Sequence, residues 1–589
     1  MSPRHVQVSR LVVPALLTCI LLYAALLRLD ALFKSYGPYD EPRWLASIQR
    51  PVAAAASALT PGWPWARDPQ PYVGGDPINY LKYAREMRTF YAAHSREPGF
   101  PAATRLGLIL SNDADVGVSI TSITFALLSL AATYLLGRQL GSPAAALAAA
   151  AALAIDQLAV AWAIEGWRDE MFAFFAILST WAWLRLYQQS TGRRAIVAGI
   201  VSAGACLTRI TSITLIAPAI LLLMATRDAD GRRLRHVGLA TGIMIALVAP
   251  FLINCAIATG DPLFAINNHT DFYLKREGVP DPPPISAVRY TLGKFDHPLA
   301  AIDTVVTGVF FYPFANKWVG LDRWYPGLGG VLSCLAIGGL LAWLWQRDGR
   351  FLLSMFLGAL IPFSATWKVQ GGAEWRLTLF AYSFYLLAAF WLLEMSIRRS
   401  REWRRVFSSG AVWPAAAVLT LVVGAAAWTW LMPYAIVRES LAHGERAMIR
   451  PNERDRFLLA NGWSDLVVTG NVTARFATTP SAAVRIPLPE LRPYRLTLRI
   501  DPLYDAVQQK VHVELNGHPV AVLALGWNPE RVGQYEALIR ATDVRRGLNQ
   551  LTLRSEVMMP IGRAGTAYPE IPRDREVGLR LWYMIIEPS

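Results

Sequence analysis

VGVSITSITFALLSLAATYLLG, residues 116–137, decides the class of fold. It holds no charged side chain, and a bilayer core is crossed by roughly 20 predominantly apolar residues in a helix. Similar runs lie near Leu11–Leu27, Pro143–Ala163, Met171–Tyr187, Ala195–Leu207, Ile213–Ala225 and Val237–Ile257, then near Gly327–Trp345, Phe351–Thr366, Leu377–Met395 and Val412–Met432. The pattern predicts a polytopic α-helical membrane protein of about eleven transmembrane helices. Composition agrees. Of 589 residues 54% are hydrophobic and only 17% charged, against roughly 25% charged in an average soluble domain. That excludes a disordered chain and disfavours a wholly soluble enzyme. Cys19, Cys206, Cys255 and Cys334 all fall in apolar stretches, so no disulfide framework is expected.

The net charge of +14, from 57 Lys+Arg against 43 Asp+Glu, has a membrane explanation. Arg4, Arg10, Arg138, the pair Arg193–Arg194, the cluster Arg227–Arg235, then Arg347, Arg350 and the group Arg398–Arg405 fall in alternate short loops. Basic short loops stay on the cytoplasmic side. The expected topology is multi-pass in the inner (plasma) membrane, with a cytoplasmic amino terminus and an external, periplasmic carboxyl-terminal domain. No nucleic-acid partner is implied. Two units follow: a membrane module over 1–432, with large external loops at 28–115 and 258–326, and an external β-rich domain over 433–589. In the latter, Tyr494–Ile500, Val511–Leu515, Val520–Leu525, Tyr535–Ala541 and Gln550–Ser555 read as short strands, with a hairpin turn at Asn516-Gly517. Strands at this spacing suggest a β-sandwich, a candidate for binding carbohydrate.

Candidate chemistry gathers on the external side. Asp76 opens a helical pattern in which Tyr80, Tyr83, Ala84 and Met87 recur on one face. A carboxylate there is placed to take a proton from a hydroxyl, or simply to cap the helix. Asp40-Glu41, among prolines in the same loop, is an alternative base or a solvated turn. Arg96-Glu97-Pro98 follows. Arg168-Asp169-Glu170 lies between two apolar runs, where charges are costly unless paired or functional. Arg209, Lys275, Arg276 and Arg376 are cations on the side where topology does not call for them; guanidinium matches the oxygens of a phosphate, although any single one could snorkel to headgroups. His269 lies in the second large loop. Asp76, Asp169 and Glu170 are the candidate ligands should a divalent metal take part. There is no Walker loop, no GxGxxG after a strand, no HExxH and no CxxC.

The order of these pieces resembles the GT-C membrane glycosyltransferases, particularly the protein-O-mannosyltransferase and aminoarabinose-transferase-like branch. The resemblance rests on one span, a long external loop bearing Asp76, Tyr80 and Ala84, then Arg96-Glu97-Pro98, Arg168-Asp169-Glu170, Leu207-Thr208-Arg209 and Arg376. It implies transfer of a sugar from a polyprenyl-phosphate donor to a hydroxyl of an external glycan, lipid or protein, without a required cofactor. Asp76 would be the general base, with Asp40 or Glu41 as alternatives. Arg168, Arg209, Lys275, Arg276 and Arg376 would surround the donor phosphate, and Tyr80, Arg96, Glu97, Asp169, Glu170 and His269 would line or support the acceptor side. A transporter or flippase of lipid-linked saccharides is the competing class, but it would place ionisable residues near the bilayer midplane and often in related halves. A membrane-anchored sugar-binding assembly protein is the third.

Overall fold

The computed structural model describes residues 3–36, 42–59, 75–226, 231–276, 281–306, 328–365, 379–410, 412–452, 454–469, 472–502, 509–526, 533–564 and 571–589. The chain divides into two compact units, one formed by 1–294, 304–370 and 374–410, the other by 295–303, 371–373 and 411–589.

The first unit is helical. Its elements are α1 (Pro3–Tyr36), α2 (Arg43–Leu59), α3 (Asp76–Glu86), α4 (Gly99–Leu110), α5 (Val116–Gln139), α6 (Pro143–Ile155), α7 (Gln157–Glu165), α8 (Asp169–Gln188), α9 (Gly192–Thr208), α10 (Ile213–Ala225), α11 (Arg232–Thr259) and α12 (Phe264–Arg276), followed by further helices that include Leu328–Trp343 and Ala381–Gly410. Pro143 opens α6 at a position where its missing N–H costs nothing. The alanines of α6 then let neighbours approach closely; a Cβ on Gly137 of α5 would meet Ala146 and Leu387 at 2.6 Å. Small residues of this kind are what membrane helices use in place of a hydrophobic driving force.

Helices occupy every apolar run named above, but among the described residues not all of them are long enough to cross a membrane. Among the described residues three helices are long and apolar enough to cross a membrane: Val12–Tyr36, Val116–Gln139 and Arg232–Thr259. The pair Pro143–Ile155 and Ala159–Glu165, bent by 59°, makes a fourth if taken as one span. Others are short: α10 has 13 residues and Leu328–Trp343 has 16. At 1.5 Å per residue, 13 residues reach only about 20 Å of a core about 30 Å thick.

Two boundaries move. The loop after the first apolar run does not begin at Arg28, because α1 runs on to Tyr36. Arg28 is 1% exposed, and its guanidinium donates to the carbonyl oxygens of Ala154 at 3.1 Å and Leu153 at 3.5 Å, at the break between α6 and α7. Those carbonyls end a helix and lack intrahelical partners, so an arginine is the natural group to satisfy them. Asp156, expected inside a span, instead caps α7: its Oδ1 accepts the Ala159 N–H at 2.9 Å. At the other end the helix Val412–Ala442 passes through Pro433 rather than stopping there. Val437 and Leu441 on its last turns join the core of the β-rich part, which offsets the hydrogen bond the proline removes.

The second unit carries two main antiparallel sheets and a short antiparallel pair, β10 (Met559–Pro560) with β11 (Glu576–Val577). One has the order β2 (Val467–Thr469), β3 (Val472–Phe476), β12 (Leu579–Pro588), β5 (Tyr494–Pro502), β8 (Gln534–Ile539), with β1 (Ala447–Ile449) also paired to β12. The other runs β4 (Ser481–Leu488), β9 (Gly547–Ser555), β6 (Gln509–Leu515), β7 (His518–Leu525). Period-two alternation sends Leu496, Leu498 and Ile500 of β5, Val511 and Val513 of β6, and Leu551 and Leu553 of β9 into one shared core. Two sheets with a common interior make a β-sandwich. The hairpin turn falls at Asn516-Gly517, both with positive φ (53° and 86°) and Leu515 paired to His518, as a tight turn with left-handed central residues requires.

Candidate active site

The site is assembled where helix ends of the first unit converge. Asp76 is the first residue of α3; Gly75, at φ +73°, occupies the cap position. Its carboxylate therefore sits in the first helical turn, where the helix dipole favours negative charge. Tyr80 and Ala84, one and two turns on, are buried and hold α3 against its neighbours; Tyr80 packs edge-on to Phe100 of α4 at 5.1 Å. The chain then returns, with Tyr83 stacked on His94 at 3.6 Å, to present Arg96 and Glu97 just before α4. Arg96 Nη2 lies 3.4 Å from Asp76 Oδ1, with both side chains partly exposed.

Gly99 makes the next approach possible. A Cβ there would lie 2.8 Å from the carbonyl oxygen of Leu207, so only glycine lets the start of α4 touch the end of α9. That contact carries Glu97 to the turn after α9, where its Oε1 accepts the Ile210 N–H at 3.0 Å. Its Oε2 binds the Arg168 guanidinium. Burial works to raise the Glu97 carboxyl, but Arg168 and the backbone N–H of Ile210 outweigh it and hold it below the usual range. Gly99→Ala should force that backbone apart and cost about 1–3 kcal/mol, the usual penalty of overpacking. Thermal melting of the purified protein in nanodiscs checks this.

Arg168 is delivered by Gly166, which ends α7 at φ +81° and whose Cβ would strike Val118 at 2.7 Å. The guanidinium lies over the Tyr80 ring at 5.9 Å. Its Nε is buried without a hydrogen-bond partner among the described residues. Native interiors pair nearly all such donors, so an unsatisfied one near the Asp76 carboxylate points toward a ligand. The next residue, Asp169, opens α8 and accepts from Arg209 Nη2 at 2.9 Å, a pair 1% and 9% exposed. Arg209 also lies over Phe172, 5.0 Å from the ring centre. Three carboxylate–guanidinium pairs thus stand together: Asp76–Arg96, Glu97–Arg168 and Asp169–Arg209.

His269, on α12, joins them electrostatically. Burial, then Arg96 and Arg168, push its imidazole down to about 4, against the opposing pull of Glu97 and Asp76. It is neutral at physiological pH. A lowered folded value means that the unfolded chain binds more protons below its ordinary 6.5, so stability falls as pH drops from there toward 4 and is flat above. His269→Asn should remove that loss, and melting curves of both proteins between pH 4 and pH 8 should diverge only on the acid side.

The remaining expected residues are placed differently. Glu170 is buried in the first turn of α8, its Oε1 without a hydrogen-bond partner among the described residues. Lys275 is exposed and pairs with Asp271 at 2.9 Å on its own helix. Asp40, Glu41 and Arg376 lie outside the described residues, as does the side chain of Arg276. Among the described residues no three His, Cys, Asp or Glu side chains group as metal ligands; Asp169 is engaged by Arg209 and Asp76 faces Arg96. The sequence reading missed the pairing itself and the role of Gly99. The glycine after Arg96-Glu97-Pro98 was the only signal for the latter.

The charges of this helical unit gather at helix ends. Residues 94–253 match the family model described as dolichyl-phosphate-mannose-protein mannosyltransferase, a segment that includes Arg96, Glu97, Arg168, Asp169 and Arg209 but not Asp76 or His269. No curated protein matches the sequence. Among solved structures, the archaeal oligosaccharyltransferase AglB from Archaeoglobus fulgidus, in complex with an inhibitory peptide and a dolichol-phosphate, aligns at 16% identity and TM-score 0.39, over 72% of this chain and 56% of that one. The oligosaccharyltransferase of the same organism in complex with Zn and sulfate aligns at 18% identity and TM-score 0.38, over 72% and 53%. The arabinosyltransferase EmbB from Mycobacterium smegmatis aligns at 10% identity and TM-score 0.27, over 98% and 64%. This chain spans less than two thirds of the length of each.

Proposed function

We propose that this protein is an integral-membrane glycosyltransferase that moves a sugar from a polyprenyl-phosphate donor to a hydroxyl of an external glycan, lipid or protein. The observation that carries the proposal is the buried Nε–H of Arg168, without a hydrogen-bond partner among the described residues, next to the partly exposed Asp76–Arg96 pair. One group can take a proton and the others can meet an anion. Asp76 accepts the proton of the acceptor hydroxyl as its oxygen forms a bond to the anomeric carbon. The bond from that carbon to the phosphate oxygen breaks, and its electron pair leaves with the lipid phosphate. Charge growing on that oxygen is met by Arg96 and Arg168, fixed beforehand by Asp76 and Glu97, so little reorganisation is needed as the bond breaks. Arg209, Lys275, Arg276 and Arg376 remain candidates for the outer phosphate contacts, and Tyr80, Glu97, Asp169, Glu170 and His269 for support of the acceptor side. Asp40 and Glu41 are the alternative base.

In this reading the protein is a multi-pass inner-membrane enzyme with a cytoplasmic amino terminus and the β-sandwich outside. The family match over residues 94–253 supports the reaction class. The test is to incubate the protein in nanodiscs with a panel of polyprenyl-phosphate sugars and follow release of the lipid phosphate. Release from one or more members is expected. Intact donor throughout, with a folded protein, would remove the proposal.

A further inference from the structure

The β-sandwich bears an outward patch that the transfer reaction does not use. Strand β12 buries Leu579, Leu581, Met584 and Ile586, so its inward residues do not keep strict alternation. The register against β5 slips between Leu581 and Tyr583, which makes Trp582 the extra residue of a β-bulge. A bulge re-aims side chains. Here it turns two consecutive aromatics, Trp582 and Tyr583, to the same outer face. Tyr583 pairs across the sheet with Arg499, and Arg499 pairs with Gln534, so the three form one outward row; Gln534 Nε2 donates to the Tyr583 hydroxyl. Arg450 lies over the Tyr583 ring at 5.9 Å. In the neighbouring row Arg580 faces Asp501, donating to its Oδ2 at 2.7 Å. Trp582 also donates to Asp501, and Arg580 lies over the Trp582 ring at 4.4 Å.

Among the described residues three guanidinium groups, Arg450, Arg499 and Arg580, thus stand around two rings, with Asp501 bonded to Arg580 and Trp582 and Glu536 one outward row away, opposite Thr497. Further along the face Arg495 is balanced by Glu587 at 3.6 Å, so among the described residues the bulge keeps three guanidinium groups against the carboxylates of Asp501 and Glu536. Flat aromatic and guanidinium surfaces suit the C–H faces and hydroxyls of sugar rings, and guanidinium forks match carboxylate or phosphate oxygens. The side chains are already tied to one another, which lowers the ordering cost of binding.

We infer that the outer face of the six-stranded sheet, around the Trp582 bulge, binds a saccharide chain carrying anionic groups. The inference rests on the proposed glycosyltransferase reading only in taking that chain to be the acceptor or its product; binding is measured without donor. The test uses the full-length protein in neutral-lipid nanodiscs, with oligogalacturonate as the acidic probe and maltohexaose as the neutral one, followed by tryptophan fluorescence and calorimetry. Oligogalacturonate should bind, more weakly as salt rises, and Arg499→Gln and Trp582→Ala should each weaken it at least tenfold. Both variants should release lipid phosphate at the wild-type rate with a short soluble acceptor, which separates a failure of this site from a failure of the transfer reading. Absence of binding, binding of both probes alike, or affinity unmoved in both variants would overturn the inference. So would attachment to vesicles containing anionic phospholipid in place of saccharide binding, since the face would then be a membrane contact.

Discussion

Asp76→Asn should lower turnover by about 10²–10⁴-fold, the contribution typical of a positioned general base, while leaving the fold and donor binding intact. Asparagine keeps the shape and can still accept from Arg96, so the 3.4 Å contact between Arg96 Nη2 and Asp76 Oδ1 has no steric reason to break. What disappears is the capacity to hold the acceptor's proton. The cost should therefore appear in kcat more than in the KM for donor. Asp40→Asn and Glu41→Gln should retain most of the activity. If they abolish turnover while Asp76→Asn spares it, the base belongs to the earlier pair. Initial rates of lipid-phosphate release for the three variants decide between them.

Asp169→Asn should cause the largest loss of stability among single changes at the site. Asp169 and Arg209 are both buried and joined at 2.9 Å. Removing one partner of such a pair leaves an uncompensated charge and typically costs about 3–5 kcal/mol. Replacing both, as in Asp169→Leu with Arg209→Met, should recover much of that, because apolar pairs of similar volume often replace buried ion pairs without loss. The double variant also separates two roles for Arg209. With stability recovered, turnover near wild type would make Arg209 a strut for α8 and α9; a persisting loss of donor affinity would make it a phosphate ligand. Melting curves and donor titrations on the two single variants and the double variant provide the comparison.

Much of the helical unit was legible because a charge-free run such as 116–137 has few alternatives to a helix in apolar surroundings. The number of crossings was not, since 13 residues of α10 and 31 residues of Val412–Ala442 look alike in hydropathy until their ends are fixed. Those ends depend on distant groups. Arg28 looked like the start of a loop and is instead buried against carbonyls of residues 153 and 154. In the sandwich, the strongly alternating strands β5, β6 and β9 and the Asn516-Gly517 turn were readable. Strand β12 was not anticipated: its bulge at Trp582 breaks the period-two pattern. At the site the residue types were readable and their partners were not. Glu97 finds Arg168 across 71 positions and Asp169 finds Arg209 across 40, pairings set by the close contact at Gly99 and the turn at Gly166, which local sequence spacing does not encode.

The central claim, transfer of a sugar from a lipid phosphate with Asp76 taking the proton, is tested most directly by a coupled count. The protein, reconstituted in vesicles, is given a polyprenyl-phosphate sugar labelled in the sugar together with an external acceptor. Label gained by the acceptor is then compared with polyprenyl phosphate freed. One-for-one appearance, reduced by about 10² or more in Asp76→Asn, is the predicted result. Labelled donor that crosses the bilayer intact, with no lipid phosphate freed, would contradict the account and assign the molecule to transport.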